Sequence, residues 1–229
     1  MSPDPEVKMH AWRIDPRQYA RHEQRRGKRH AFERVDPART ALIVVDMIPF
    51  FVNENPYCRG IIANIRTLAH SLRSAGGTIA WILPARRAQT SEGAKEFFGP
   101  DIAQMFNNSA GTGPLRERLW SGFELHENDL VLEKSAASAF FPGRSVLPER
   151  LAERSINTVL ITGTVTNVCC ESSARDASTL GYRVIMVADA NASVDDESHN
   201  ATLHTIYRTF GDVRPTTEVL GLINESTST

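Results

Sequence analysis

With 229 residues, 26 of them Lys or Arg and 27 Asp or Glu, the chain carries a formal net charge of −1 and no field that would draw it onto nucleic acid or an anionic membrane. The length admits one large domain or two small ones, and the composition excludes disorder, collagen and a disulfide scaffold. Three cysteines, two of them adjacent, suit a reducing compartment better than a disulfide framework.

The opening segment MSPDPEVKMHAW lacks the basic-then-apolar order of a signal peptide, and no apolar run approaches a membrane span, so a cytoplasmic location and a small-molecule partner are expected. Residues 1–38 are polar and rich in Arg and His, and read as an N-terminal arm with one helix, lying on the surface or against a neighbouring subunit. Its basic cluster RHEQRRGKRH (21–30) has no interleaved aromatics, which favours a solvated or intersubunit face over nucleic-acid binding.

From Thr40 the pattern becomes regular. TALIVVDM (40–47) is a nearly continuous apolar run with β-branched residues, the mark of a strand buried on both faces. A helix over 58–77 follows, with Ile61, Ile65, Leu68 and Leu72 on one stripe and Gly76-Gly77 as its stop. TIAWILP reads as the second strand, and residues 85–125 as a mostly irregular connection of the kind that serves as a lid or subunit contact. Then come strand DLVLEK (129–134), helix SVLPERLAERS, strand NTVLIT (157–162), helix VCCESSARDASTLG, strand YRVIMVAD (182–189), helix DESHNATLHTIYRTF and a short final segment. This alternation predicts one α/β domain over residues 39–229, built on a doubly wound, mostly parallel six-stranded sheet flanked by helices.

In such a sheet ligands bind beyond the carboxyl ends of the strands. Asp46 closes the first strand, Lys134 closes the third, and Cys169 follows the fourth after a turn. Each taken singly has a bland explanation: a cap or loop ion pair, a surface charge, a small residue packing at a helix start. Together they supply what a thiol nucleophile needs, a base for its proton and a cation for its charge. The helix N-terminus is expected to lower the thiol pKa further, and its N–H groups can hold an oxyanion.

ALIVVDM, EKSAASAF and ITGTVTNVCCESSARDA resemble the signatures of the isochorismatase-like cysteine hydrolases, which include nicotinamidases, N-carbamoylsarcosine amidases, ureidoacrylate-type and biuret hydrolases. The resemblance runs from about Thr40 to the C-terminus and is most specific around the cysteine. It implies Cys169 as nucleophile, Asp46 as base and Lys134 as its partner, with a cis Thr164–Val165 peptide and an oxyanion hole from the N–H groups of Val165 and Cys169. It also implies C–N hydrolysis of a small amide, ureido or carbamoyl compound through a thioester, no organic cofactor, and a dimer or tetramer. Two departures matter. The segment after the second strand has no histidine, and His199 and His204 are five apart, which argues against a metal and against a nicotinamidase. Ile48 and Pro49 replace two polar residues common after the aspartate, leaving Phe51 as an apolar wall.

Phe51, Trp81 and Phe140 are further expected to line the substrate pocket, and Arg86 or Arg87 to meet a substrate carboxylate. The cysteine disfavours the vinyl-ether chemistry of isochorismatases proper. An inactive small-molecule-binding relative and a thiol redox protein stay open beside the hydrolase reading, although adjacent thiols do not have the Cys-x-x-Cys spacing of a redox pair. Cys170, on a stripe with Ala174, Ala177 and Gly181, is expected to pack rather than react.

Overall fold

A computed structural model describes residues 6–227. Six parallel strands, β1 (Thr40–Val45), β2 (Thr78–Pro84), β3 (Leu130–Lys134), β4 (Thr158–Thr164), β5 (Arg183–Ala192) and β6 (Asp212–Arg214), form one sheet in the order β3-β2-β1-β4-β5-β6. Every residue of β1 and β4 is buried, as the apolar runs require of central strands covered on both faces. Alternate side chains go to opposite cores: Leu42 and Val44 to one, Ala41, Ile43 and Val45 to the other.

The helices in chain order are α1 (Pro16–Arg26), α2 (Pro49–Glu54), α3 (Pro56–Gly60), α4 (Ile62–Ser74), α5 (Glu92–Phe98), α6 (Pro100–Ser109), α7 (Leu147–Ala152), α8 (Glu171–Thr179), α9 (Asp196–Thr209) and α10 (Thr216–Thr227). Apolar residues of α4 and α10 close the first core, and those of α7, α8 and α9 the second. The strand order runs one way from β1 through β2 to β3 and the other way from β4 to β6. The carboxyl ends of β1 and β4 therefore flank the crevice where a doubly wound sheet binds its ligands.

Three expectations need correction. The helix expected over 58–77 divides at Ile61, whose ψ of −8° leaves the helical track between α3 and α4. The connection over 85–125 is not mostly irregular: α5 and α6 meet at Gly99, whose φ of 83° ends one helix before Pro100 starts the next. Each is too short for its periodicity to stand out in the sequence. The final segment also holds a full helix, α10, whose Val219, Leu222 and Ile223 are buried.

Within the chain the arm lies on its own domain. Asp15 caps α1 by accepting the Arg17 N–H at 2.9 Å, and the Asp212 carboxylate accepts the N–H groups of Ala31 and Phe32, each at 2.8 Å. The basic cluster is partly spent internally, with Arg26 on the carbonyls of Lys28 and Arg29, and Arg29 over the Tyr19 ring.

Gly163 couples β4 to β1 directly below the crevice. Its φ is 112°, and a Cβ there would stand 2.2 Å from the Val45 carbonyl oxygen. Gly163→Ala is expected to lower stability by at least about 2 kcal/mol, read as a fall in the denaturation midpoint; an unchanged midpoint would show that β4 tolerates displacement from β1.

Candidate active site

β1 delivers Asp46 to the crevice through a backbone kink. Asp46 has φ 52°, a left-handed conformation that costs a non-glycine residue on the order of 1 kcal/mol. Its N–H still donates to Ile82 O at 2.8 Å, while its carbonyl accepts the Ile48 N–H at 2.8 Å, so the chain turns sharply before Pro49 opens α2. Lys134 closes β3 and is held on both sides: its carbonyl accepts the Ala85 N–H, and it bridges Ser145 in antiparallel fashion.

The two strands are not neighbours. With β2 between them, their backbones stand roughly 10 Å apart, and the long Lys134 side chain spans the gap. Its ammonium lies 2.8 Å from Asp46 Oδ2, 3.3 Å from Cys169 Sγ and 3.3 Å from Ala136 O. All three ammonium hydrogens are thus directed. Both charged residues are buried, Asp46 at 2% exposure and Lys134 at 4%.

Cys169 arrives from β4. The Thr164–Val165 peptide is cis, and Thr166–Cys170 form a single π turn, with Cys170 N–H donating to Val165 O at 3.2 Å, before α8 begins. Such turns concentrate at functional positions. The turn separates the adjacent thiols. Cys170 is fully buried in the core with Ala174 and Ala177, whereas Cys169 is partly exposed. Ser173, one helical turn on, donates to the Cys169 carbonyl at 2.6 Å and accepts the Ala139 N–H at 2.9 Å, tying the Cys169 backbone to the loop after Lys134.

The expectation that a helix N-terminus lowers the thiol pKa does not hold. Burial, followed by the nearby Asp46 charge, pushes Cys169 up to about 12, and Lys134 offsets only part of this. Burial works against the Lys134 ammonium too, but Asp46 and Cys169 hold its pKa above the ordinary lysine value. The resting site is therefore a neutral thiol beside a carboxylate–ammonium pair. Asp46 Oδ1 is buried with no hydrogen-bond partner among the described residues, which leaves an acceptor open in the crevice.

The remaining candidate residues fare differently. Phe51 is half-buried on α2, edge-on to Phe50. Trp81 does not line this crevice: it is 1% exposed, packs on Phe123, and donates its indole N–H to Asp129, which precedes β3 at the opposite end of the sheet. Phe140 is also a core residue, fully buried and edge-on to Tyr182. A sequence cannot distinguish an aromatic that caps a core from one that walls a pocket. Arg86 is exposed beyond β2, while Arg87 donates to Ser135 O at 2.5 Å, beside Lys134.

Residues without a sequence signal complete the surroundings. Arg118 joins the 85–125 connection to the strand ends through Pro84 O and the Glu133 carboxylate, and Trp120 N–H donates to Met47 O just after Asp46. His199 bonds Thr166 Oγ1 through Nδ1 at 3.0 Å. Among the described residues no group of three or more His, Cys, Asp or Glu converges as metal ligands do.

Removing one member of the buried pair leaves the other uncompensated. Lys134→Met is expected to cost about 3–5 kcal/mol in urea unfolding, and Asp46→Leu added to it should recover most of that loss; a single variant as stable as the wild type would show that the pair is solvated. Burial lowers the His199 pKa to about 3. Below its unfolded value near 6.5 the unfolded chain binds a proton that the folded one refuses, so stability should fall as pH drops from 6.5 toward 3, by up to about 1.4 kcal/mol per pH unit. Unfolding measured from pH 6.5 to 4 should show a shallower slope in His199→Asn.

The isochorismatase domain model matches residues 40–218, which takes in Asp46, Lys134 and Cys169 and leaves the arm outside. YwoC of Bacillus subtilis (strain 168), an uncharacterized isochorismatase family protein, is 29% identical over 190 residues, covering 81% of this chain and 95% of its own. A cysteine hydrolase from Pseudomonas syringae pv. phaseolicola 1448A superposes with a TM-score of 0.74 at 26% identity, covering 86% of this chain and 97% of that one. N-carbamoylsarcosine amidase from Thermoplasma acidophilum shares the fold, with a TM-score of 0.64 at 24% identity over 78% of this chain and 96% of that one. The strand-end residues singled out by sequence thus sit within a domain match that spans most of the chain, and the chain belongs to the isochorismatase family of hydrolases.

Proposed function

We propose that the chain is a cysteine-dependent hydrolase of C–N bonds in a small amide, ureido or carbamoyl compound. The observation that carries this reading is the Lys134 ammonium bonded at once to the Asp46 carboxylate and the Cys169 sulfur. A carboxylate and an ammonium at one thiol provide a base and a counter-charge for a nucleophile, and a thiol is the group that forms an acyl intermediate.

Because Cys169 rests as a thiol, proton transfer and attack belong to one step. As Sγ bonds to the substrate carbonyl carbon, its proton passes to Asp46, and Lys134 holds the charges that remain. The carbonyl oxygen becomes an oxyanion, for which the N–H groups of Val165 and Cys169 are the proposed donors. Collapse breaks the C–N bond, and Asp46 returns the proton to the leaving nitrogen. Water, deprotonated by Asp46, then cleaves the thioester and restores the thiol. Phe51 is proposed as an apolar wall and Arg86 as a partner for a substrate carboxylate. Vinyl-ether hydrolysis, the competing chemistry within the family, needs no thiol at this position.

Ammonia release from a panel of small amides and ureides identifies the substrate. With it, Cys169→Ala and Asp46→Asn should each lose about a thousandfold or more in kcat, whereas Cys170→Ser should stay within a few fold. Rapid quenching should trap one acyl group on Cys169. Full activity in Cys169→Ala would sink the scheme.

A further inference from the structure

We propose that His10, supplied by the arm, is a positioning residue that holds the Thr166–Cys170 turn through His199 and Ser193. His10 lies outside the residues matched by the family domain, yet its ring is buried between those of Tyr57 and His199, stacked at 3.9 Å and 4.1 Å with interplanar angles of 4° and 11°. Its hydrogen bonds fix its chemistry. The Ser193 N–H donates to Nε2 at 3.0 Å, so that nitrogen carries the lone pair, and the ring proton sits on Nδ1, 2.6 Å from the Asp196 carboxylate.

Two routes lead from this ring to the turn. In the first, stacking sets the plane of His199, whose Nδ1 meets the fully buried Thr166 Oγ1 at 3.0 Å. In the second, His10 anchors Ser193, whose hydroxyl donates to Asn167 Oδ1 at 2.8 Å. Thr166 and Asn167 are the first two residues of the turn that carries Cys169. The ring therefore restrains the backbone that presents the sulfur without touching the reacting atoms.

The arm's backbone is held independently of the ring. Lys8 N–H donates to Pro56 O at 3.1 Å, Arg59 Nε to Glu6 O at 2.6 Å, Arg13 N–H to Asn200 Oδ1 at 2.7 Å, and Asn200 Nδ2 to Ala11 O at 3.2 Å. Gly60 admits this path, since a Cβ there would meet Lys8 O at 1.9 Å. Removing the ring should thus leave the arm seated.

Hydrogen exchange read by mass spectrometry on the full chain tests the inference without knowledge of the substrate. His10→Ala should speed exchange over residues 166–170 by about tenfold or more while the segment at residues 6–9 and β1 keep their protection. His10→Gln, which offers Ser193 an acceptor, should restore part of the protection. The kinetic readout rests on Cys169 being the nucleophile: kcat should fall about tenfold in His10→Ala with KM changed less than twofold. Unchanged exchange over 166–170, or a uniform rise that includes β1, overturns the positioning role. Absence of amide hydrolysis by the wild type would defeat the hydrolase reading and leave the exchange result to decide this one.

Discussion

The buried ion pair between Asp46 and Lys134 is the constraint on which the rest of the site depends. Two such groups at 2% and 4% exposure are costly to bury singly, and each offsets the other across 2.8 Å, while Lys134 directs its two remaining hydrogens to Cys169 Sγ and Ala136 O. That contact needs β1 and β3 to sit two places apart in the sheet, with nothing but the edge of β2 to reach across. A shift of either strand by one residue would turn its polar terminus to the opposite face and leave a carboxylate or an ammonium unpaired. Strand register and the electrostatics of the site are therefore the same requirement.

The pair also determines how the thiol is kept. Burial opposes thiolate formation at Cys169, and the nearby Asp46 carboxylate opposes it further, so the thiol is held in its neutral form. A low-pKa cysteine would be charged at rest and open to oxidation. In the proposed mechanism deprotonation is tied to the presence of an electrophile, because attack on a carbonyl moves the negative charge from sulfur to an oxygen held by the proposed donors. Asp46 is suited to both directions of that transfer, with Oδ2 held by Lys134 and Oδ1 left as an acceptor.

How much of this is legible in the sequence follows from the same physics. A central parallel strand is apolar throughout, so Asp46 after ALIVV stands out as the first polar group where β1 ends, and Lys134 is legible as the residue that closes the edge strand LVLEK. Cys169 is legible from its turn, and Cys170 from its stripe of small residues. Trp81 and Phe140 are misplaced by sequence because their aromatic character fits a core as well as a pocket, and burial alone decides between them. The thiol pKa escapes the sequence because a helix dipole can be inferred from one segment, whereas desolvation and the Asp46 charge depend on three strands meeting. Ser173 and Arg118 are not marked for the site by sequence, since Ser173 reaches the Ala139 N–H and Arg118 the Pro84 carbonyl, backbone groups 34 residues away that only the fold brings near.

The proposed catalytic groups and their supports are thus distributed differently along the chain. Asp46 and Lys134 stand at strand ends within the family domain and Cys169 on the turn after β4, and the order of the strands in the sheet brings them together. The turn that aims Cys169 is a single π turn, and so short a turn has few internal bonds to fix its orientation. Its restraint comes instead from outside: Ser173 behind it, His199 and Ser193 beside it, and through them a ring from an arm 159 residues away in sequence, the separation of His10 from Cys169. The sheet accounts for the presence of Cys169 in the crevice, and these lateral contacts restrain the turn that carries it.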